Sequence, residues 1–258
     1  MKIPQGFISD IAHGATKDGP GWRSVVYFKG CNFSCRWCGA PESIPFGKSI
    51  LTYEDGSVET VGRAVTVEEV VEEIRPYKRF SRRDLPYGVT LTGGEATCQW
   101  PFYLELLIAL KKAGFHTAVE TNASSPRLVE SLPYLDLVIC DLKHMDPEQH
   151  RAWVGADNRR VLENIKAIYE TQKPLWIRIP IVPGYNDTTE HLQAVARFLV
   201  PMREGLKVEL LKYSRMGVHK WKALRQGYPL KDLAPPSDER ILELEEILRA
   251  HRIEVFRT

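Results

Sequence analysis

Three cysteines crowd into eight positions of the stretch KGCNFSCRWCGA, residues 29–40: Cys31, Cys35 and Cys38. Their CxxxCxxC spacing lets three sulfurs reach a single point if the loop wraps around it. Gly30 and Gly39 flank the loop and permit the tight turns this requires. Thiolates select zinc or iron–sulfur. A structural zinc takes four ligands, whereas this loop offers three and no histidine. A 4Fe–4S cube held by three cysteines leaves one iron free to bind a substrate, so the shortfall has a functional use. The competing reading is a zinc loop completed by His13, or by a remote Cys98 or Cys140.

Whatever the loop binds, other elements must position it. The chain has 258 residues, 43% hydrophobic and 26% charged, enough for one large globular domain or two small ones. A formal net charge of +2 is too small to make nucleic acid or an anionic membrane the main partner. No run has the length of a membrane span, and the start, MKIPQGFISD, lacks the apolar stretch of a signal peptide. The expected location is therefore the cytoplasm. Five cysteines, three of them clustered, make a poor disulfide framework and a good ligand set.

Six short apolar runs rich in branched residues read as buried parallel strands: Val25–Lys29, Gly88–Thr92, Phe115–Glu120, Leu135–Cys140, Leu175–Pro180 and Val208–Tyr213. Helical patterns lie between them. Thr66 and Glu69 form a capping box ahead of Val67, Val70, Val71 and Ile74. Residues 100–113 are apolar nearly all round, which predicts deep burial. Asp187 with Glu190 and, further on, Ser237 read as the openings of two more helices. This alternation predicts a parallel sheet with right-handed crossovers, open or closed into a partial barrel. Residues 39–65 break the rhythm and read as a loop or hairpin excursion.

The polar groups fall at strand ends. Thr92-Gly93-Gly94-Glu95, Glu120-Thr121-Asn122 and Asp141-Leu142-Lys143 each close a strand, Arg178 lies within the fifth, and His219 follows the sixth. In parallel β/α folds the carboxyl ends of the strands form the active face, so these groups converge with the cysteine loop on one mouth. Arg178 points inward if Ile177 and Ile179 point outward. The basic stretch 78–83 reads as a solvated helix end.

The CxxxCxΦC pattern, with Trp37 as Φ, resembles the signature of the radical S-adenosylmethionine (SAM) superfamily. DGPGWRSVVYFKGC (residues 18–31), TLTGGEAT, LDLVICDLKHMDPE, WIRIPIVPGYND and ELLKYSRMGVHKWKAL are similar to segments of the activating enzymes of glycyl radical enzymes, of the pyruvate formate-lyase type. The resemblance implies an α/β fold, a partial (β/α)6 TIM-like barrel in a single domain over residues 1–258. It implies one 4Fe–4S cluster held by Cys31, Cys35 and Cys38, with SAM on the free iron. Reductive cleavage of SAM would yield a 5′-deoxyadenosyl radical that takes hydrogen from a backbone glycine of a large protein partner. It also assigns contacts to SAM: Trp37 and Gly39 at the adenine, Gly93, Gly94 and Glu95 near the methionine ammonium, and Asp141, Lys143, Arg178 and His219 around the rest. Glu120, Thr121 and Asp141 resemble a monovalent-cation site beside SAM. Flavodoxin or ferredoxin is the implied electron donor and a monomer the implied state.

The chain departs from the pattern in places. Relatives often have Asp where Glu120 stands and Asn where Ala40 stands. Residues 39–65 contain no cysteine, so no ferredoxin-like insert is expected, and Cys98 and Cys140 read as small buried residues. Two rival readings remain open here: a radical SAM enzyme acting on a small molecule, and a non-catalytic zinc-loop binding protein.

Overall fold

The structure, a computed structural model, describes residues 5–258; residues 1–4, which begin the MKIPQGFISD stretch, lie outside the described residues. All six expected strands form: β2 (Arg23–Phe28), β6 (Gly88–Gly93), β7 (His116–Thr121), β8 (Leu137–Asp141), β9 (Leu175–Ile181) and β10 (Leu206–Lys212). They pair in parallel in the spatial order β2-β6-β7-β8-β9-β10. The outermost strands do not pair with each other, so this is a partial barrel, as expected. The two-residue β11 (Glu254–Val255) extends it beyond β10.

Beyond β2, β1 (Gln5–Ala15) and β5 (Arg63–Thr66) add antiparallel strands that the sequence did not disclose. In β1 the reason is physical. Register shifts between Ile8 and Asp10 and between His13 and Ala15 break the two-residue alternation by which a strand is recognised. The excursion is a hairpin, β3 (Ser49–Thr52) against β4 (Val58–Val61), preceded by a 3-10 turn at Pro41–Ser43 and followed directly by β5.

Helices cover the outer face. Val67, Val70, Val71 and Ile74 of α1 (Val67–Ile74) are buried, as are Leu106, Leu107 and Leu110 of α2 (Trp100–Lys112). They join Ile165 of α4 (Arg159–Glu170), Leu192 of α5 (Thr189–Leu199) and Leu244 of α7 (Asp238–Ala250) in one core with the sheet. α2 is less enclosed than its composition suggests, because Pro101, Glu105 and Lys112 face solvent. The crossover from β7 to β8 holds only a 3-10 stretch, Leu128–Tyr134, with Pro133 inside it. Ser237 caps α7 by accepting from the Arg240 amide. The cap of α5 is Thr188, which accepts from the His191 amide; Asp187 instead accepts from the Gly184 amide and closes a turn.

The other face of the sheet lines the barrel. Ile177 and Ile179 point into the outer core, so Arg178 between them points inward. Register sets Asp141 beside Arg178 on one flank and Glu209 beside it on the other.

The capping box of α1 is complete: Thr66 Oγ1 accepts from the Glu69 amide at 3.2 Å and Glu69 Oε2 from the Thr66 amide at 2.7 Å. Thr66→Ala should therefore lower stability by about 1 kcal/mol. In urea the midpoint should fall with the slope unchanged.

Candidate active site

Loop 30–40 has no regular structure, and its shape is imposed by its neighbours. The Gly30 and Cys31 amides donate to Ser43 O (2.8 Å) and Ile44 O (2.9 Å) in the excursion. The Ser34 and Arg36 amides donate to Val154 O (2.8 Å) and Trp153 O (3.0 Å), the last carbonyls of α3 (Pro147–Val154). Trp221 of α6 (Val218–Ala223) donates its indole Nε1–H to Cys38 O at 2.9 Å.

Held in this way, the three cysteines line one cavity of about 260 Å³. Trp37 and Gly39 stand with them, Gly93 and Gly94 form a backbone wall, and Glu120, Thr121, Asp141 and Lys143 complete it from the strand ends. The convergence expected from strand ends therefore occurs. All three cysteines are free and half-buried. Burial pushes the Cys31 and Cys35 thiols up to about 12 and Cys38 to about 11. A metal centre would have to take their protons, as thiolate ligation does generally. Among the described residues no three His, Cys, Asp or Glu side chains gather tightly enough to hold a single ion. The proposed completions of a zinc site also lie elsewhere: His13 bonds Ser24 Oγ at 2.8 Å and stacks on Tyr77, and Cys140 is buried in the core. Cys98, expected to be buried, is exposed, with its sulfur 3.7 Å from Asn32 Oδ1. A soft donor set of three thiols spread around one cavity fits an iron–sulfur cube.

Lys143 is 8% exposed and pairs with Asp141 at 2.6 Å. Burial works against its ammonium, but Asp141 and the Cys35 and Cys31 sulfurs outweigh burial and raise its pKa. The glycines serve the protein's own backbone. Gly93 has φ +120°, and a Cβ on Gly94 would stand 2.4 Å from Gly30 O and 2.6 Å from Ser43 O. Close approach of the cluster loop to this turn thus excludes any side chain there.

Three expected residues do not line the cavity. Glu95 is buried behind the wall with its carboxylate committed: it accepts from Thr97 Oγ1 (2.6 Å), Thr121 Oγ1 (2.8 Å) and the Asn122 amide (2.7 Å). Arg178 lies deeper in the barrel, 2.5 Å from Glu120 and 3.0 Å from Glu209, and it also donates to Lys17 O. His219 is exposed in a separate cleft of about 840 Å³ between α6 and the excursion, near Tyr53. The three residues of the expected cation site each carry a bond within the protein. Glu120 and Asp141 are already bonded to Arg178 and Lys143, and Thr121 donates to Glu95, although all three line the same cavity.

Residues 25–199 match the model of the radical SAM superfamily. The chain belongs to that superfamily. Its cofactors are the superfamily's, a 4Fe–4S cluster and SAM, and the donor set just described fits them. Pyruvate formate-lyase-activating enzymes of Staphylococcus aureus, among them those of strains USA300 and COL, are 33% identical over 245 residues, covering 92% of this chain and 92% of theirs. Solved structures share the fold. A domain of pyruvate-formate lyase-activating enzyme from Bacteroides vulgatus has a TM-score of 0.54 at 24% identity, over 66% of this chain and 97% of that one. A radical SAM methyltransferase from Sphaerobacter thermophilus reaches 0.63 at 19% identity, over 91% and 65%.

Sequence reasoning missed what supports the loop: Trp221, the end of α3, and a buried network in which Lys29 donates to Ser49 Oγ (2.7 Å) and Lys220 pairs with Glu42 (2.5 Å). The only available signal was Lys29 itself, a charge closing an apolar strand.

Two substitutions test the ligand set. Cys35→Ala should abolish iron and sulfide incorporation on anaerobic reconstitution, whereas Cys98→Ala should leave both at the level of the unmodified protein. Gly94→Ala should displace the loop and reduce incorporation severalfold, read by iron content per chain.

Proposed function

We propose that the protein activates a glycyl radical enzyme, with its cluster and SAM in the cavity at the mouth of the barrel. The observation that carries this reading is the set of three free thiols on one cavity wall, facing a glycine turn and a buried lysine, in a chain whose curated relatives are activating enzymes over nearly their whole length. When bound, the cluster and SAM supply one-electron cleavage of a carbon–sulfur bond, giving methionine and a 5′-deoxyadenosyl radical.

The chain's own residues bind and orient. Lys143 supplies a fixed cation for the SAM carboxylate, and Asp141 holds that cation in place. Trp37 and Gly39 offer an aromatic face and an open backbone to the adenine. Arg178 acts from below, holding the Glu120 carboxylate where it lines the cavity. We leave Glu95 and His219 out of the binding set, the first because its oxygens are committed and the second because it lies in another cleft.

We further infer one domain across residues 1–258, working as a monomer in the cytoplasm with flavodoxin or ferredoxin as electron donor. The free cysteines support a reducing compartment. No helix among the described residues is long and apolar enough to cross a membrane.

The test is an anaerobic assay. The reconstituted protein, reduced with dithionite and given SAM, should release 5′-deoxyadenosine. With pyruvate formate-lyase added, a glycine-centred doublet should appear in the electron paramagnetic resonance spectrum. SAM turnover with no doublet would favour a small-molecule substrate, and a colourless protein without turnover would sink both readings.

A further inference from the structure

Reductive cleavage of SAM needs one electron from outside the chain. Tunnelling falls steeply with distance, so the route to the cluster must be short. Three sides of the cluster loop are closed. The cavity, which takes SAM, lies on one. The glycine turn stands against a second, where a Cβ on Gly94 would lie 2.4 Å from Gly30 O. The start of α6 covers a third, where a Cβ on Gly217 would lie 2.7 Å from Gly39 Cα. Four residues of the loop are exposed: Asn32, Ser34, Arg36 and Gly39. Asn32 donates to Ser124 Oγ at 2.7 Å and Gly39 lines the cavity, which leaves Ser34 and Arg36 as the outer face. The end of α3 continues that face, because its last carbonyls accept the amides of both residues.

The side chains there suit a protein partner. The Arg36 guanidinium lies over the ring of Trp153, 5.4 Å from its centroid. Trp153 is half-buried, and its ring centroid is 6.4 Å from that of Trp37, the neighbour of Cys38. Two packed rings therefore join the outer face to the interior of the cluster loop. The free charge on the face is positive. Its acids, Glu148 and Asp157, are both held by Arg151, at 2.8 and 3.2 Å. Arg36 and Arg159 are exposed, and among the described residues neither has a carboxylate partner. Arginine and tryptophan are also the side chains that most often anchor interfaces.

We propose that this outer face, centred on Arg36 and Trp153, docks a one-electron carrier protein with an acidic surface around its redox centre. The proposal rests on Cys31, Cys35 and Cys38 as cluster ligands, and it deepens the reading of a flavodoxin or ferredoxin as donor. One electron passes inward: the carrier is oxidised, the cluster is reduced, and no bond forms or breaks. The donor and the glycine-bearing partner then use separate faces of one loop, so the mouth stays free for the partner.

The experiment follows cluster reduction by stopped-flow absorbance, without SAM or partner, in the native protein and in Arg36→Glu, which keeps the amide that holds the loop. Iron and sulfide content and reduction by dithionite should match the native protein. With a reduced, acidic bacterial flavodoxin the second-order rate should fall about tenfold at low salt, because charges at an interface act on association. The native rate should also fall as salt is raised, and the variant's should not. Binding of oxidised flavodoxin, followed by isothermal titration, should weaken in parallel. Arg159→Glu lies outside the loop and carries the same comparison if Arg36→Glu loads poorly; there the rate should fall severalfold. A rate by flavodoxin equal to native in a fully loaded variant overturns the proposal, and so does an equal loss of reduction by dithionite. If dithionite reduces the native protein but neither flavodoxin nor ferredoxin does, the donor reading falls, and this surface falls with it. Failure to form a glycine radical would overturn the activase reading alone.

Discussion

A loop without helix or strand satisfies few of its own amides, and loop 30–40 must nevertheless hold three sulfurs in fixed relation. Apart from the Cys38 amide on Cys35 O (3.0 Å) and the Phe33 amide on Cys31 Sγ (3.4 Å), its anchors come from elsewhere in the chain. The excursion takes the first two amides, the end of α3 takes two more, and α6 holds the Cys38 carbonyl. Glu95 donates its own amide to Gly30 O at 2.8 Å, so the turn after β6 grips the loop from the remaining side. These anchors lie far apart in sequence. The parallel sheet brings them together by setting the ends of β2, β6, β7 and β8 in a row around one mouth. The fold is, in this sense, the frame for one irregular loop.

The same logic explains the charges inside the barrel. Arg178 is almost wholly buried, and an unpaired guanidinium there would be prohibitively costly. It pairs with Glu209, set beside it by strand register, and with Glu120, which reaches it from β7 across β8. Glu95 solves a neighbouring problem: burial pushes its carboxyl up, while donors from Thr97, Asn122 and Thr121 act the other way. Each of these groups first answers a folding requirement, and only those left at the wall, Lys143 and Asp141 above all, face the cavity.

Much of this was legible in the sequence. The six parallel strands, the capping box, the hairpin excursion and the inward turn of Arg178 followed from periodicity, because buried strands and amphipathic helices carry their environment in their spacing. The cysteine loop and its cavity neighbours were legible because strand ends converge in any such barrel. Three other features were not. β1 hides its period in two bulges, and β11 is too short to have one. Cys98 is exposed because it sits in a tight turn between β6 and α2, a place that composition does not reveal. Side-chain destinations failed most often: Glu95 and His219 carry the right chemistry, but which partner each meets depends on contacts remote in sequence.

Lys29 shows why those contacts matter. It follows the strand that leads into Cys31 and is fully buried, with no carboxylate among the described residues bonded to it. Burial lowers its pKa, the Glu42 charge works the other way, and fixed acceptors bond the ammonium. Those acceptors are Ser49 Oγ and the Glu42 carbonyl, both in the excursion. Glu42 in turn holds Lys220 of α6, whose neighbour Trp221 anchors Cys38. The excursion and α6 therefore meet at the Glu42 carboxylate, with Lys222 also facing Glu54 at 3.7 Å and His219 facing Tyr53. A hairpin that looks like an interruption of the β/α rhythm is a structural part of the metal site, and its removal would release the loop at both ends.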